Sequence, residues 1–136
     1  MKVLLTILLF ITVSVSFAQM GEIWPVTNRQ EFDVNDAFEI TETYEQTTVC
    51  QFFMFINNNE FIHVTDNITS LYKIIKREYS DKNDPIYTVV SEAGNTYMYL
   101  FKKEAKQVFI YSTKGYAISF ACITPYSTKV FENLNK

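Results

Sequence analysis

The sequence predicts a small all-β domain, an antiparallel meander of about seven or eight strands that forms a barrel or a sandwich. Two observations lead to this fold class. Short apolar stretches recur along the chain, and turn-forming residues separate them at regular intervals, as is typical of meanders. With three Gly and three Pro in 136 residues, the chain offers no flexible linker, and this length favours a single domain.

The first 18 residues are expected to be a signal peptide. Lys2 precedes an apolar run over residues 3–15, and Ser16-Phe17-Ala18 supplies the small-residue exit that such peptides need. We therefore predict one all-β domain over residues 19–136, exported to the extracellular space or the periplasm. No second apolar run approaches the roughly 20 residues of a membrane span, so no span is expected in the mature chain.

The first half of the domain is predicted to contain a leading segment, a half-buried strand and a hairpin. Residues 19–30 show no period, whereas residues 38–41 alternate between apolar and polar. The apolar stretch 49–56 predicts a strong strand. The three consecutive Asn residues at 57–59 suit a tight turn, and residues 60–64 are expected to return along it.

Residues 68–79 fit two element types. Their apolar residues recur at helical spacing, yet Tyr72 and Ile74 also alternate as in a strand. The turn-forming residues 80–85 that follow favour a hairpin, so we predict a strand. Four further consecutive strands are then predicted near residues 86–91, 96–102, 107–112 and 116–123.

Loop lengths predict which side chains face the core. We expect a two-residue loop at Gly94-Asn95 and a three-residue loop that ends at Gly115. The core face is then expected to carry Ile86, Thr88, Val90, Tyr97, Tyr99, Phe101, Val108, Ile110, Ile118, Phe120 and Cys122. On the strand 49–56 it is expected to carry Cys50, Phe52, Met54 and Ile56. The opposite face is apolar too, and a second sheet or residues 19–46 are expected to cover it, in preference to a ligand or a partner subunit.

The two cysteines are predicted to form a disulfide. An exported protein folds in an oxidising compartment, where an even cysteine count favours pairing. Cys50 and Cys122 both lie on the predicted core face, and in a barrel the last strand can return beside an early one. The alternative is a pair of buried free thiols.

No catalytic, cofactor-binding or metal-binding residues are predicted. His63 is the only histidine, and nothing near it in sequence completes a nucleophilic triad. Asp33, Asn35, Asp36 and Glu39 form an oxygen-rich group, but the Gly and the distant Glu of a calcium loop are missing. Paired carboxylates that meet only in the fold stay open as an alternative.

Charge and surface features bear on partners. The net charge of −3 argues against nucleic-acid binding. Residues 19–60 carry eight acidic residues and one basic residue, so they can lie against the basic C-terminal strands or face a cationic partner. Asn67-Ile68-Thr69 matches the glycosylation acceptor pattern.

Two short motifs resemble those of lipocalin-like exported domains. Gly21-Glu22-Ile23-Trp24 resembles the Gly-x-Trp signature near the lipocalin N-terminus, with one residue more. Thr65-Asp66 resembles a later loop motif, but Asn67 replaces the aromatic residue and no matching downstream Arg is found. The resemblance implies a barrel that carries a small molecule, and it does not assign the chain to that family.

The predicted function is a secreted, non-catalytic binding or interaction domain. Its partner is expected to be a protein or a hydrophobic small molecule. The apolar strands, the 16% aromatic content and the absence of a visible catalytic set lead to this prediction. The alternatives are a lipocalin-like carrier of a hydrophobic small molecule and a small carboxylate-dependent hydrolase.

Overall fold

The computed structural model describes residues 21–127, and within them the chain forms ten β-strands and no helix. The predicted signal peptide lies outside this range. The strands are β1 (Glu22–Val34), β2 (Ile40–Thr43), β3 (Thr47–Asn57), β4 (Glu60–Val64), β5 (Thr69–Tyr79), β6 (Pro85–Ser91), β7 (Thr96–Lys102), β8 (Gln107–Ser112), β9 (Tyr116–Cys122) and β10 (Tyr126–Ser127).

Eight of these strands close into an antiparallel barrel. From β3 to β9 each strand pairs with the next one along the chain, and β1 pairs with both β3 and β9. The short strands β2 and β10 add to β1 at its two ends. The predicted all-β class is confirmed, and closure through β1 makes the fold a barrel. Among residues 21–127, no helix is long and apolar enough to cross a membrane.

The predicted strands in the second half of the chain are confirmed. The four final strands match β6 to β9 within one residue at each end. The stretch 68–79, whose sequence fits both a helix and a strand, forms the strand β5. Its pairing with β6 shifts register between Ile74 and Lys76. This bulge leaves Ile74 buried and Ile75 exposed. An extra residue in a strand breaks the two-residue alternation, which explains why the stretch also fits a helical pattern.

The leading segment, predicted to have no regular structure, forms the strand β1 from Glu22 onward. Its register with both neighbours shifts between Val26 and Asn28. Trp24 and Val26 are buried in the barrel interior before this bulge. After it, Arg29 faces the interior, whereas Phe32 packs in a separate cluster with residues of β8 and β9. A bulge at residue 27 therefore exchanges inner and outer positions and hides the strand pattern in the sequence.

Aromatic rings fill one half of the barrel interior. Phe53 contacts Phe61, Tyr99, Phe101 and Phe120, with ring centroids 5.3–6.2 Å apart. Most of these pairs are edge-to-face, the arrangement that ring quadrupoles favour. We call this region the packed half. Its buried side chains are Trp24, Val26, Phe53, Phe55, Phe61, Ile74, Tyr87, Val89, Tyr99, Phe101, Val108, Ile110, Phe120 and Cys122.

The predicted inner face of β6 is wrong. Tyr87 and Val89 are buried opposite Tyr99 and Tyr97, so Ile86, Thr88 and Val90 face outward. The loop to β7 has three residues instead of two, because the Ser91 amide donates to the Asn95 carbonyl and closes it. Gly94 takes a φ of +83° in this loop. An odd loop length shifts the side-chain parity by one.

The loop between β8 and β9 has the predicted form. Tyr111 pairs with Ala117, and Gly115 holds a φ of +89°, a conformation that side chains with a Cβ rarely adopt. The three-residue loop keeps Ile118 and Phe120 on the interior side, as predicted.

The predicted bond between Cys50 and Cys122 is not formed; both thiols are free. Phe53 and Phe55 of β3 face the barrel interior, so alternation along the strand places Cys50 on the outer face, where it is exposed. Cys122 is buried. In addition, β1 lies between the two strands, since Val26 pairs with Gln51 on one side and with Cys122 on the other. Two strand spacings of about 4.8 Å exceed the reach of a disulfide.

The outer face of β8 and β9 is partly covered by the end of β1. Phe32 and Val34 pack there with Ala117, Phe109 and Tyr111. This confirms one predicted alternative, in which part of residues 19–46 covers the second apolar face. The half-buried strand expected at residues 38–41 is the exposed strand β2 instead.

The loop that leads to β2 uses Asn35 as a turn residue. Its side-chain oxygen accepts hydrogen bonds from the amides of Ala37 and Glu39, both at 3.0 Å. Phe38 has a φ of 60° in this turn, and its ring meets Tyr111 edge-on at 5.6 Å. Within the described residues, no group of three His, Cys, Asp or Glu side chains is placed to hold a metal ion.

Candidate functional site

The other half of the barrel interior holds an open cavity of about 420 Å³. Residues of β1, β3, β4, β5, β7, β8 and β9 line it, together with the turn between β4 and β5. The lining consists of Arg29, Thr47, Val49, Gln51, His63, Thr65, Asp66, Asn67, Tyr72, Tyr97, Tyr99, Ile110, Tyr116, Ile118 and Phe120. We call this region the open half. Tyr99, Ile110 and Phe120 belong to both halves and form the boundary between them.

Four tyrosines form one side of the cavity, and we call them the tyrosine wall: Tyr72, Tyr97, Tyr99 and Tyr116. Alternation along β7 places Tyr97 and Tyr99 on the interior side. The Tyr72 ring lies 5.2 Å from Tyr99 and 6.0 Å from Tyr97, centroid to centroid. The wall therefore presents flat apolar surfaces that carry hydroxyl groups.

Burial raises the pKa of two hydroxyl groups of this wall. It raises the pKa of Tyr99 well above its ordinary value near 10, with the neighbouring Tyr72 as the next cause. It also raises the pKa of Tyr97, with the neighbouring Tyr116 as the next cause. Both phenols therefore stay protonated at neutral pH.

The opposite side of the cavity, which we call the polar wall, carries Arg29, Thr47, Gln51, His63 and Thr65. His63 Nε2 lies 2.8 Å from Gln51 Oε1, and its ring stacks on Phe53 at 4.3 Å. Burial, and next the positive charge of Arg29, lower the pKa of His63 to about 4. The imidazole is therefore neutral at neutral pH, and Nε2 donates to the Gln51 oxygen.

Arg29 brings a positive charge into the lining. The bulge in β1 turns its side chain inward, and its guanidinium forms a 2.5 Å ion pair with Glu31, with 33% of the Arg29 side chain exposed. Among the lining residues of the described chain, Arg29 is the only cation and Asp66 the only carboxylate. One guanidinium has five N–H donors, so the pair with Glu31 leaves donors for a ligand.

A second hollow of about 350 Å³ adjoins the open half. Tyr72 and Tyr97 line both spaces. Thr69, Ser70 and residues of the loop between β6 and β7 complete the second one. The two tyrosines thus separate the barrel interior from this outer hollow.

The residues singled out in the sequence have different positions relative to the cavity. His63 lines it, and so does Asn67 of the glycosylation pattern. Cys50 and Cys122 do not line it. The interior position of Tyr97 and Tyr99 is as predicted, but Arg29 was missed, because its inward direction depends on the bulge at residue 27.

The fold and the cavity define a class: a closed antiparallel barrel of eight strands with a ligand-sized space at one end. No protein-family model, no curated protein and no solved structure matches this chain. The cavity and the chemistry of its lining are therefore the basis for a proposed function.

Proposed function

We propose that this protein is a non-catalytic binding domain that holds one small organic molecule in the open half of its barrel. The cavity of about 420 Å³ carries this proposal. Ligand sites are typically concave and between about 300 and 1,000 Å³ in volume. The tyrosine wall supplies apolar contact, and the few polar groups opposite it can orient a ligand.

The division of the interior limits the size of the ligand. An eight-stranded barrel has room either for its own side chains or for one small ligand, and here the packed half is filled by aromatic rings. A long alkyl chain would need that half as well. The ligand is therefore compact, which narrows the lipocalin-like alternative to a carrier of short molecules.

The cavity favours binding over the hydrolase alternative. Glycoside hydrolysis uses two carboxyl groups about 5 to 9.5 Å apart on either side of the scissile bond. Asp66 is the one carboxylate in the lining, and it lies on the turn between β4 and β5. The neutral imidazole of His63 has Gln51 as its partner, which does not activate a nucleophile.

A variant that fills the cavity tests this proposal. Val49 lines the cavity, so Val49→Phe should occupy ligand space. Met98→Phe is the matched control, because Met98 alternates with the inward Tyr97 and Tyr99 on β7 and faces outward. We expect small aromatic compounds to raise the melting temperature of the wild type and of Met98→Phe. Equal stabilisation of Val49→Phe would contradict binding in the open half.

We also propose that the domain works outside the cytoplasm, after loss of residues 1–18. The charged start, the apolar run and the small-residue exit support this. Intact mass of the protein recovered from the culture medium or the periplasm should correspond to residues 19–136, with Gln19 free or cyclised. A full-length chain in the membrane fraction would refute it.

A further inference from the structure

We infer that the ligand is a flat organic anion, with its ring system against the tyrosine wall and its anionic group beside Arg29. This inference rests on the proposed function and names the ligand class of the same cavity. Charge, hydrogen-bond donors and shape each contribute to it.

Charge is the first contribution. Arg29 lines the cavity, and its positive charge reaches His63 on the same polar wall, where burial first and Arg29 second lower the pKa of the imidazole. His63 adds no second positive charge at neutral pH. Glu31 takes one contact of the guanidinium from a half-exposed position, where an ion pair contributes little stability. A ligand anion can use the remaining donors in the fork geometry that suits a carboxylate.

Hydrogen-bond donors are the second contribution. Tyr97 and Tyr99 line the cavity and stay protonated, because burial raises the pKa of both phenols. Each hydroxyl therefore keeps a hydrogen that it can donate. With the Arg29 guanidinium on the opposite wall, these donors favour a ligand rich in acceptors, such as a carboxylate.

Shape is the third contribution. The tyrosine wall comes from β5, β7 and β9, and the polar wall comes from β1, β3, β4 and the first residue after β4. The space between two such walls suits a planar molecule that stacks on rings along one face. Val49, Ile110 and Ile118 add apolar surface. A cationic ligand would meet Arg29, and Asp66 is the one carboxylate among the lining residues of the described chain.

Three probes that share one ring system test the inference: 1-naphthoate, 1-naphthalenemethanol and 1-naphthylmethylammonium. Two-dimensional NMR titrations measure the dissociation constant of each. Because a charge-assisted hydrogen bond is stronger than a neutral one, we expect naphthoate to bind at least about tenfold more tightly than the alcohol. The ammonium compound should bind most weakly.

The Arg29→Gln variant should remove this preference. We expect naphthoate affinity to fall about tenfold, while the affinity for the neutral alcohol stays within about twofold. Arg77→Gln is the matched control, since Arg77 bonds to Asn58 and Asn59 in the turn between β3 and β4 and does not line the cavity. It should leave both affinities unchanged. Melting temperatures of both variants establish that they fold.

The Val49→Phe variant separates this inference from the proposed function. If the alcohol or the ammonium compound binds best and Val49→Phe blocks it, the cavity binds ligands but the anion inference is overturned. If naphthoate binds equally well to Val49→Phe, its site lies elsewhere, and both proposals fail. Equal losses of naphthoate and alcohol affinity in Arg29→Gln would also overturn the inference, because Arg29 would then act on packing alone.

Discussion

The two halves of the barrel interior share the same strands but differ in what fills them. Along β7 the inward residues run from Tyr97 through Tyr99 to Phe101, and the interior changes from an open cavity to a packed core. Tyr99 and Phe101 are each 1% exposed, as is Phe55 of the packed half. The packed half supplies most of the buried core, and the open half contains the proposed ligand site.

Along β1 the interior also changes from the packed half to the open half, and here the inward side chains change from apolar to charged. Trp24 and Val26 face the packed half, and Arg29 faces the open half after the bulge. A charged side chain is costly in a sealed core, but solvent and Glu31 reach Arg29 at the open end. One extra residue in a strand can therefore separate a packed core from an open cavity.

The largest effect is expected for Phe53→Ala. Phe53 is 0% exposed and meets five other rings. Its removal should lower the free energy of unfolding by about 3–5 kcal/mol, through lost transfer energy and the cavity left behind. Urea unfolding measures the change.

The matched change in the open half is Tyr116→Phe. It removes only a hydroxyl group beside solvent, and it should cost less than about 1.5 kcal/mol. Equal losses of stability in Phe53→Ala and Tyr116→Phe would contradict the view that the packed half supplies most of the free energy of unfolding.

The next effect concerns the buried carboxylate beside the packed half. Glu22 is 7% exposed, accepts a 2.8 Å hydrogen bond from Trp24 Nε1 and pairs with Lys103 at 3.4 Å. Glu22→Ala leaves the buried indole N–H without this acceptor, which should cost about 1–3 kcal/mol. Glu22→Gln keeps an acceptor oxygen and should recover much of that loss in the same unfolding measurement. A melting temperature unchanged in Glu22→Ala would contradict this role.

His63 lies where the two halves meet, and it should make stability depend on pH. Its folded pKa of about 4 lies below the unfolded value near 6.5. The unfolded chain therefore binds a proton first as the pH falls, and stability is lost between about pH 6.5 and pH 4. We expect a loss of about 1–2 kcal/mol, less than the full shift implies because solvent reaches part of the site.

The variant His63→Gln isolates this contribution, because the chain has no other histidine. Unfolding free energies at pH 7 and pH 5 should differ in the wild type and differ much less in the variant. The same pH dependence in both proteins would assign it to carboxylates instead.

The smallest effect is expected at the rim of the open half. Asp66 is the carboxylate of the cavity lining, so Asp66→Asn should strengthen naphthoate binding by about twofold to fivefold. The gain should shrink at high salt, since solvent ions screen charges at a rim. Weaker naphthoate binding in Asp66→Asn would mean that Asp66 supports the ligand instead of repelling it.

Much of the architecture followed from local sequence, and much of the site did not. The turns around Ser80-Asp81 and Gly115 marked the strands β5 to β9, since turn residues and alternation act over a few positions. The cavity required the pairing of β1 with β9, which are far apart in sequence. No local pattern distinguishes Arg29 from a surface arginine, because the bulge before it is defined by its partner strands.

What the sequence by itself determined was the all-β class, the last four strands and the inward direction of Tyr97 and Tyr99. Tertiary structure decided the barrel closure through β1, the inner face of β6 and the separation of Cys50 from Cys122. The physical reason is parity. Side chains alternate with a period of two, so a single residue in a bulge or a loop exchanges core and surface, and only the pairing of strands reveals where that residue lies.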